Sequence, residues 1–227
     1  MSRYNLNGGD RMQMGGMLGS VHRVAGWLTK GAGVNLLWFL CNAPLFFIVM
    51  DILMNGGQLE AGIGALLVLV PLLLFPSTAA LFGVVRKWVL QEDEPAWAFF
   101  RYFKENVWQS LTGGVFFTIV WTGWLAQSSS FPLVVFWLIS GWLSAWTLFF
   151  FAFQVHFHLK TVHIIKNALV MTAIRPLSVF MTAGITFTLV YIWSIYPFLL
   201  PFCSAVVLAY ISFGVFHRFS EQRFPHH

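Results

Sequence analysis

Residues 61–85, AGIGALLVLVPLLLFPSTAALFGVV, run without a single charged side chain. As a straight helix this stretch would be about 37 Å long, more than the ~30 Å hydrocarbon core of a bilayer requires. Inside hydrocarbon the backbone has to satisfy its own hydrogen bonds, and the run lacks the period-two alternation of a barrel strand, so it reads as a membrane-crossing helix.

The run is not alone. Residues 33–54, 107–126, 131–155, 177–196 and 199–217 are comparably apolar, which predicts an all-α membrane protein with six transmembrane helices. Composition agrees: 58% of the 227 residues are hydrophobic and 9% charged, against roughly 25% charged in a soluble domain. Six spans consume most of the length and leave no room for a sizeable soluble domain. The expected organisation is a polar N-terminal tail over 1–19, one transmembrane domain over 20–218 and a short tail over 219–227. The first twenty residues lack the apolar core of a cleaved signal peptide, so the first span is expected to direct insertion.

The 13 lysines and arginines fix an orientation. Arg3, Arg11, Arg23 and Lys30 precede span 1, and Arg86, Lys87, Arg101 and Lys104 separate spans 2 and 3. Lys160, Lys166 and Arg175 separate spans 4 and 5, and Arg218 and Arg223 follow span 6. All lie on one side, which the positive-inside rule makes the cytoplasm, with both termini there. The expected location is a cell membrane. The net charge of +5 is spread over four segments flanking helices, which suits anionic lipid headgroups and excludes nucleic acid as a partner, because no basic run is long enough to track a phosphate backbone.

Each outward-going span follows a short stretch with an apolar stripe at helical spacing. The stripes are Val21, Val24 and Leu28 before span 1; Phe99, Phe100, Phe103 and Val107 before span 3; and Val162, Ile165 and Leu169 before span 5. These predict cytoplasmic amphipathic helices in the headgroup plane, so that the fold reads as three hairpins, each preceded by such a segment.

Chemistry-bearing patterns are sparse. The cysteines, Cys41 and Cys203, sit within apolar runs as small hydrophobes. His156, His158 and His163 crowd the end of span 4, but His156 and His158 point about 200° apart on one helix and do not share a metal easily. The carboxylate within a span, Asp51, lies near the outer end of span 1, which argues against an ion-coupled transporter. No catalytic residue, cofactor or metal site is therefore expected. Asn35, Asn42 and Gln109 are expected to bridge helices. Pro76, with Ser77 and Thr78 able to satisfy the carbonyls that a proline frees, predicts a kink, and with Asn42 these residues are candidates for a cavity lining. Ala79 with Gly83, and Ser140, Gly141, Ser144 and Ala145, provide small faces for helix contact. Arg86, Lys87, Trp88, Lys104, Asn106, Lys166, Asn167 and Arg175 mark the cytoplasmic interface. Trp27, Trp97, Trp108 and Trp124 fall near predicted interfaces, as an aromatic belt requires.

Several of these residues carry a resemblance. Asn35-Leu36-Leu37-Trp38, Pro76 to Phe82 followed by Arg86-Lys87-Trp88, Tyr102 to Asn106 with Gln109-Ser110, and Asn167 with Arg175-Pro176 resemble the YesL family of bacterial membrane proteins, from about residue 20 to 218. The resemblance implies a bacterial cell membrane as the location, a gene encoded beside carbohydrate ABC importers and polysaccharide-degrading enzymes, and a role in sugar uptake, with importer permease subunits and the lipid bilayer as expected partners. Two functions follow as expectations: a non-enzymatic accessory component of an oligosaccharide ABC importer, or a small carrier or channel whose path is lined by Asn42, Ser77, Thr78 and the span 3 hydroxyls.

Overall fold

A computed structural model of the chain describes residues 26, 28–55, 59–157 and 159–221. Among the described residues all regular structure is helical. The expected stripe of Val21 and Val24, together with Trp27 and His158, lies outside them.

The first apolar run is not one straight span. It divides into α1 (Leu28–Cys41) and α2 (Ala43–Asn55), with Leu28–Cys41 and Ala43–Met54 meeting at 64°. Pro44 explains the break, since it offers no N–H to the carbonyl of Leu40 and its ring crowds the preceding turn. Asn42 stands at the corner. Its backbone N–H reaches the carbonyls of Trp38 (3.2 Å) and Phe39 (3.1 Å), and its side-chain Nδ2 also donates to the Trp38 carbonyl at 2.8 Å.

The second run comprises α3 (Leu59–Leu69), a π-helical turn at Val70–Leu74 and α4 (Phe75–Val89). In the widened turn the Phe75 N–H reaches back five residues to the Val70 carbonyl, and Pro71 within it and Pro76 just after it bring no donor of their own. Ser77 Oγ sits 2.6 Å from the Leu73 carbonyl and 3.1 Å from that of Leu74.

α4 is the axis of the molecule, packing against α5, α6 and α9. Phe75, Pro76, Ser77, Ala79 to Val85 and Trp88 are all buried. Trp88, expected as an interfacial anchor, is instead covered: the loop after α4 folds back and its Glu94 carbonyl accepts the indole N–H at 2.9 Å.

α5 (Ala98–Ala126) is a single helix of 29 residues, about 43 Å long. The aromatic stretch expected to lie in the headgroup plane is its first third, with Phe99 fully buried against the core. In its centre, Gly113 and Gly114 admit two neighbours. A Cβ on Gly113 would lie 2.2 Å from Phe150 Cζ, and one on Gly114 would lie 2.9 Å from both Pro71 Cα and Phe75 Cγ. The Phe150 ring seated there belongs to a cluster with Phe75, Phe117 and Phe151, which forms the centre of the core.

The remaining helices are α6 (Leu133–His156), α7 (Thr161–Ile174), α8 (Pro176–Ile195) and, after a 3-10 turn at Pro197–Leu199, α9 (Leu200–Glu221). α7 buries its expected stripe only in part: Ile165 and Leu169 pack half-buried against the core. Ile164, Ala168 and Thr172 face the core while Val162 is 74% exposed. The small side chains at 168 and 172 let the α7 backbone approach its neighbours, and Trp146 of α6 donates to the Ile165 carbonyl at 3.1 Å. Close packing has outweighed simple amphipathicity.

Among the described residues, four helices are long and apolar enough to cross a membrane: Gly62–Val89, Leu133–His156, Pro176–Ile195 and Pro197–Arg218. The bent pair α1 and α2 makes a fifth if counted as one span. α5 has the length, but Gln109, Thr112, Gly113, Gly114, Thr118, Thr122 and Gly123 dilute its apolar content.

The structure draws the basic ends together. Arg86 Nη1 donates to the Val155 carbonyl at the end of α6 at 2.8 Å. Lys30 pairs with Asp93, and Arg101 with Glu94. Gln109 donates to the Leu159 carbonyl at 2.6 Å, and the ring of His156 stands beside that of His217 on α9.

Candidate functional site

The two helix breaks are joined to each other. Asn42 Nδ2 donates to Ser77 Oγ at 2.8 Å, and both residues are fully buried. One turn earlier on α1, the Trp38 indole N–H donates to Thr78 Oγ1 at 3.0 Å. Asn35 extends this polar ladder to α9: its Nδ2 donates to the Leu200 carbonyl at 2.8 Å, and its Oδ1 accepts from the backbone N–H groups of Ala205 (2.8 Å) and Val206 (3.0 Å). Every rung ties α1 to α4 or α9, where apolar surroundings make an unpaired polar group costly.

Beside this ladder is a cavity of about 940 Å³. Its floor is formed by Trp38, Phe75, Thr78, Phe82 and Phe151, and α3 supplies one wall through Ile63, Leu66 and Leu67. At the end remote from the cations it reaches Leu125, Ala126, Trp193 and Leu200, where α5, α8 and α9 terminate or begin. The volume lies at the upper end of the roughly 300–1,000 Å³ typical of ligand sites.

The chemistry of the lining is nearly all hydrocarbon, and all but one of its hydroxyls are already engaged. Thr122 Oγ1 donates to the Thr118 carbonyl (2.7 Å), Thr147 Oγ1 to that of Leu143 (2.8 Å) and Ser204 Oγ to that of Leu200 (2.6 Å). The Trp121 indole lies 3.2 Å from Thr147 Oγ1 as its donor. Back-bonding of this kind is the usual fate of Ser and Thr on helices in apolar surroundings. Thr118 Oγ1 is buried without a hydrogen-bond partner.

Among the kink and cavity candidates, Thr78 lines the cavity, while Pro76, Ser77 and Asn42 stand behind its wall. The small-residue faces are used inside the chain. Gly83 receives Tyr102, where a Cβ would lie 2.7 Å from Cγ, and Gly141 receives Ala183 and Phe187. Ser140 Oγ accepts the Trp124 indole N–H at 2.9 Å, Ser144 Oγ donates to the Gly141 carbonyl, and Ala79 and Ala145 are fully buried.

The interface residues scatter over the basic end. Lys87 pairs with Glu92 at 2.6 Å. Asn106 donates to the Tyr102 carbonyl, while its own carbonyl and Ser110 Oγ take the amide of buried Gln154. Lys104, Lys166 and Asn167 are exposed and Arg175 is half-buried. Trp97 and Trp108 point outward. Among the described residues no group of three His, Cys, Asp or Glu side chains is disposed to hold a metal. Gly113, Gly114, Trp121, Trp193 and Ser204 shape the core and the cavity without having stood out in the sequence. For Gly113-Gly114 the signal was the pair itself, in the middle of an aromatic-rich run.

Known proteins are similar to this chain in sequence. The family described as "Protein of unknown function, DUF624" matches residues 32–128, a stretch that contains both helix breaks and the Gly113-Gly114 pair. The uncharacterized protein YteU of Bacillus subtilis (strain 168) is 26% identical over 210 residues, covering 88% of this chain and 84% of YteU. The uncharacterized protein YesV of the same organism is 29% identical over 170 residues, covering 67% of this chain and 79% of YesV. No solved structure matches the chain. Together with the chain's own motifs, these matches make it similar to the DUF624 family of unknown function over residues 32–128 and to YteU and YesV over most of its length, in agreement with the resemblance to the YesL family.

Proposed function

We propose that the protein is a non-enzymatic, multi-pass component of a bacterial cell membrane that assists an oligosaccharide ABC importer by packing laterally against its permease subunits. In this reading α5 is the sixth crossing, the six crossings form three hairpins, and the end that gathers the cations faces the cytoplasm together with both termini. The dryness of the interior carries the proposal. With the hydroxyls of Thr78, Thr122, Thr147 and Ser204 bonded to their own helices or to indoles and that of Thr118 alone among the lining hydroxyls unpartnered, a sugar would find few of the hydrogen-bond partners it needs, and the carrier alternative has less support.

A lateral role also has a suitable surface. On α8, Gly184 and Thr188 are exposed at four-residue spacing, and a Cβ added to Gly184 would meet nothing. Small residues so placed let a second membrane helix approach closely.

Affinity purification from the native membrane in mild detergent tests the proposal. Permease and ATPase subunits are expected to co-purify with the wild type and to be lost with Gly184→Leu. Recovery of a stable protein free of importer subunits would refute it.

A further inference from the structure

We infer that the cavity beside α4 is a binding site for an acyl chain of a membrane phospholipid, entering from the leaflet remote from the basic end. The inference does not depend on any importer.

Water is a poor occupant. The volume would hold roughly 30 water molecules, and each buried water needs two to four polar partners. The hydroxyls of Thr122, Thr147 and Ser204 are donated to carbonyls of their own helices. An empty cavity is no better: at about 940 Å³ it is roughly six times the ~150 Å³ apolar void that, engineered into another protein, stays dry and takes up benzene.

A flexible hydrocarbon chain suits the space better, because the cavity is deep. Along α5 it extends from Thr118 to Ala126, about 12 Å of helix, and along α4 it reaches Phe82. At its mouth stands Trp193, an amphipathic ring of the kind that favours the headgroup boundary. Leu67 and Thr122, both lining residues, are partly exposed, which leaves the space open at its side to the surrounding lipid.

The experiment is photo-cross-linking of the full-length protein in nanodiscs containing a phospholipid with a diazirine at the end of one acyl chain, with labelled peptides mapped by mass spectrometry. Labels are expected on lining residues such as Leu66, Thr118 and Trp121 as well as on outward residues such as Phe180. Leu67→Trp and Thr122→Trp fill the cavity from positions that are already partly exposed. Both are expected to lose the lining labels and keep the outward ones, which also reports that they remain folded. Wild-type labelling confined to outward faces would overturn the inference, as would lining labels that persist in both variants. Preferential labelling of the lining by a diazirine polyprenyl phosphate in a parallel arm would overturn the assignment to an acyl chain.

Discussion

Asn35 offers the most direct test of how the helices are held together. It is fully buried on α1 and makes three hydrogen bonds to the start of α9, from its Nδ2 to the Leu200 carbonyl and to its Oδ1 from the N–H groups of Ala205 and Val206. Asn35→Leu keeps a side chain of similar size and removes all three. Interhelical hydrogen bonds in bilayers average about 0.6 kcal/mol and reach about 1.7 kcal/mol, so the loss should fall between about 2 and 5 kcal/mol. The lower bound already shifts the folding equilibrium by roughly 30-fold. The repacking of one branched side chain should add less than about 1.5 kcal/mol. Reversible unfolding in mixed micelles, followed by tryptophan fluorescence against the mole fraction of denaturing detergent, gives the difference directly. Asn167→Leu makes the same chemical change at an exposed position on α7 and should stay within about 0.5 kcal/mol of wild type. If Asn35→Leu were equally silent, the clamp between α1 and α9 would contribute nothing and the reasoning would fail.

Three further outcomes follow from the same contacts. Gly113→Ala places a methyl group 2.2 Å from Phe150 Cζ and should destabilise by about 1–3 kcal/mol through overpacking, whereas Gly184→Ala meets open space and should be neutral or gain up to about 1 kcal/mol from helix propensity; the unfolding assay above measures both. Arg86→Leu removes the charged donor from the Val155 carbonyl at the end of α6 and should cost about 1.5–3 kcal/mol in that assay. Cysteines introduced at Glu92 and Ser129 should react with a membrane-impermeant maleimide from opposite sides of sealed vesicles, and labelling of both from the same side would refute the proposed arrangement of α5.

Much of the fold was legible because hydrocarbon imposes simple demands: length, apolarity and cations at the ends. The apolar runs beginning at residues 61, 131, 177 and 199 all correspond to long helices, shifted by a few residues. What was not legible depends on partners far away in sequence. Phe99 and Phe103 show the same helical spacing whether their helix lies in the headgroup plane or continues straight into α5, so periodicity could not separate the two. On α7 the choice of Ile164, Ala168 and Thr172 over Val162 reflects how close α6 can come, which is a property of the pair. Gly113 acquires its role from a ring that lies 37 residues later, at Phe150. The cavity is more distributed still, with lining residues drawn from α1 to α6, α8 and α9. Asn42 and Pro44 did carry a local signal for the break in the first span, since a proline two residues after an asparagine disfavours an uninterrupted helix.

That break also explains why there is a cavity at all. A straight continuation of α1 would carry α2 along its axis, but the 64° bend swings α2 aside, and Phe46, on α2, becomes part of the cavity wall with α3 beyond it. Two devices hold the bend: Pro44, which cannot supply the missing donor, and Asn42, whose amide bonds both to the Trp38 carbonyl and to Ser77 at the neighbouring break. Pro44→Ala alone restores the donor but leaves the Asn42 contacts, so the bend should persist. Pro44→Ala combined with Asn42→Leu removes both restraints and should let the helix straighten. The change is measurable because Leu28 and Leu53 are both exposed. From the 64° bend and a rise of 1.5 Å per residue, their Cα atoms should lie about 32 Å apart when bent and about 38 Å apart when straight. Spin labels at these two positions, read by double electron–electron resonance, should show a shift of roughly 6 Å toward longer distances in the double variant, together with loss of the cavity's lipid labelling. An unchanged distance would mean that neither Pro44 nor the Asn42–Ser77 bond determines the shape of the first span, and that the bend is imposed from elsewhere in the bundle.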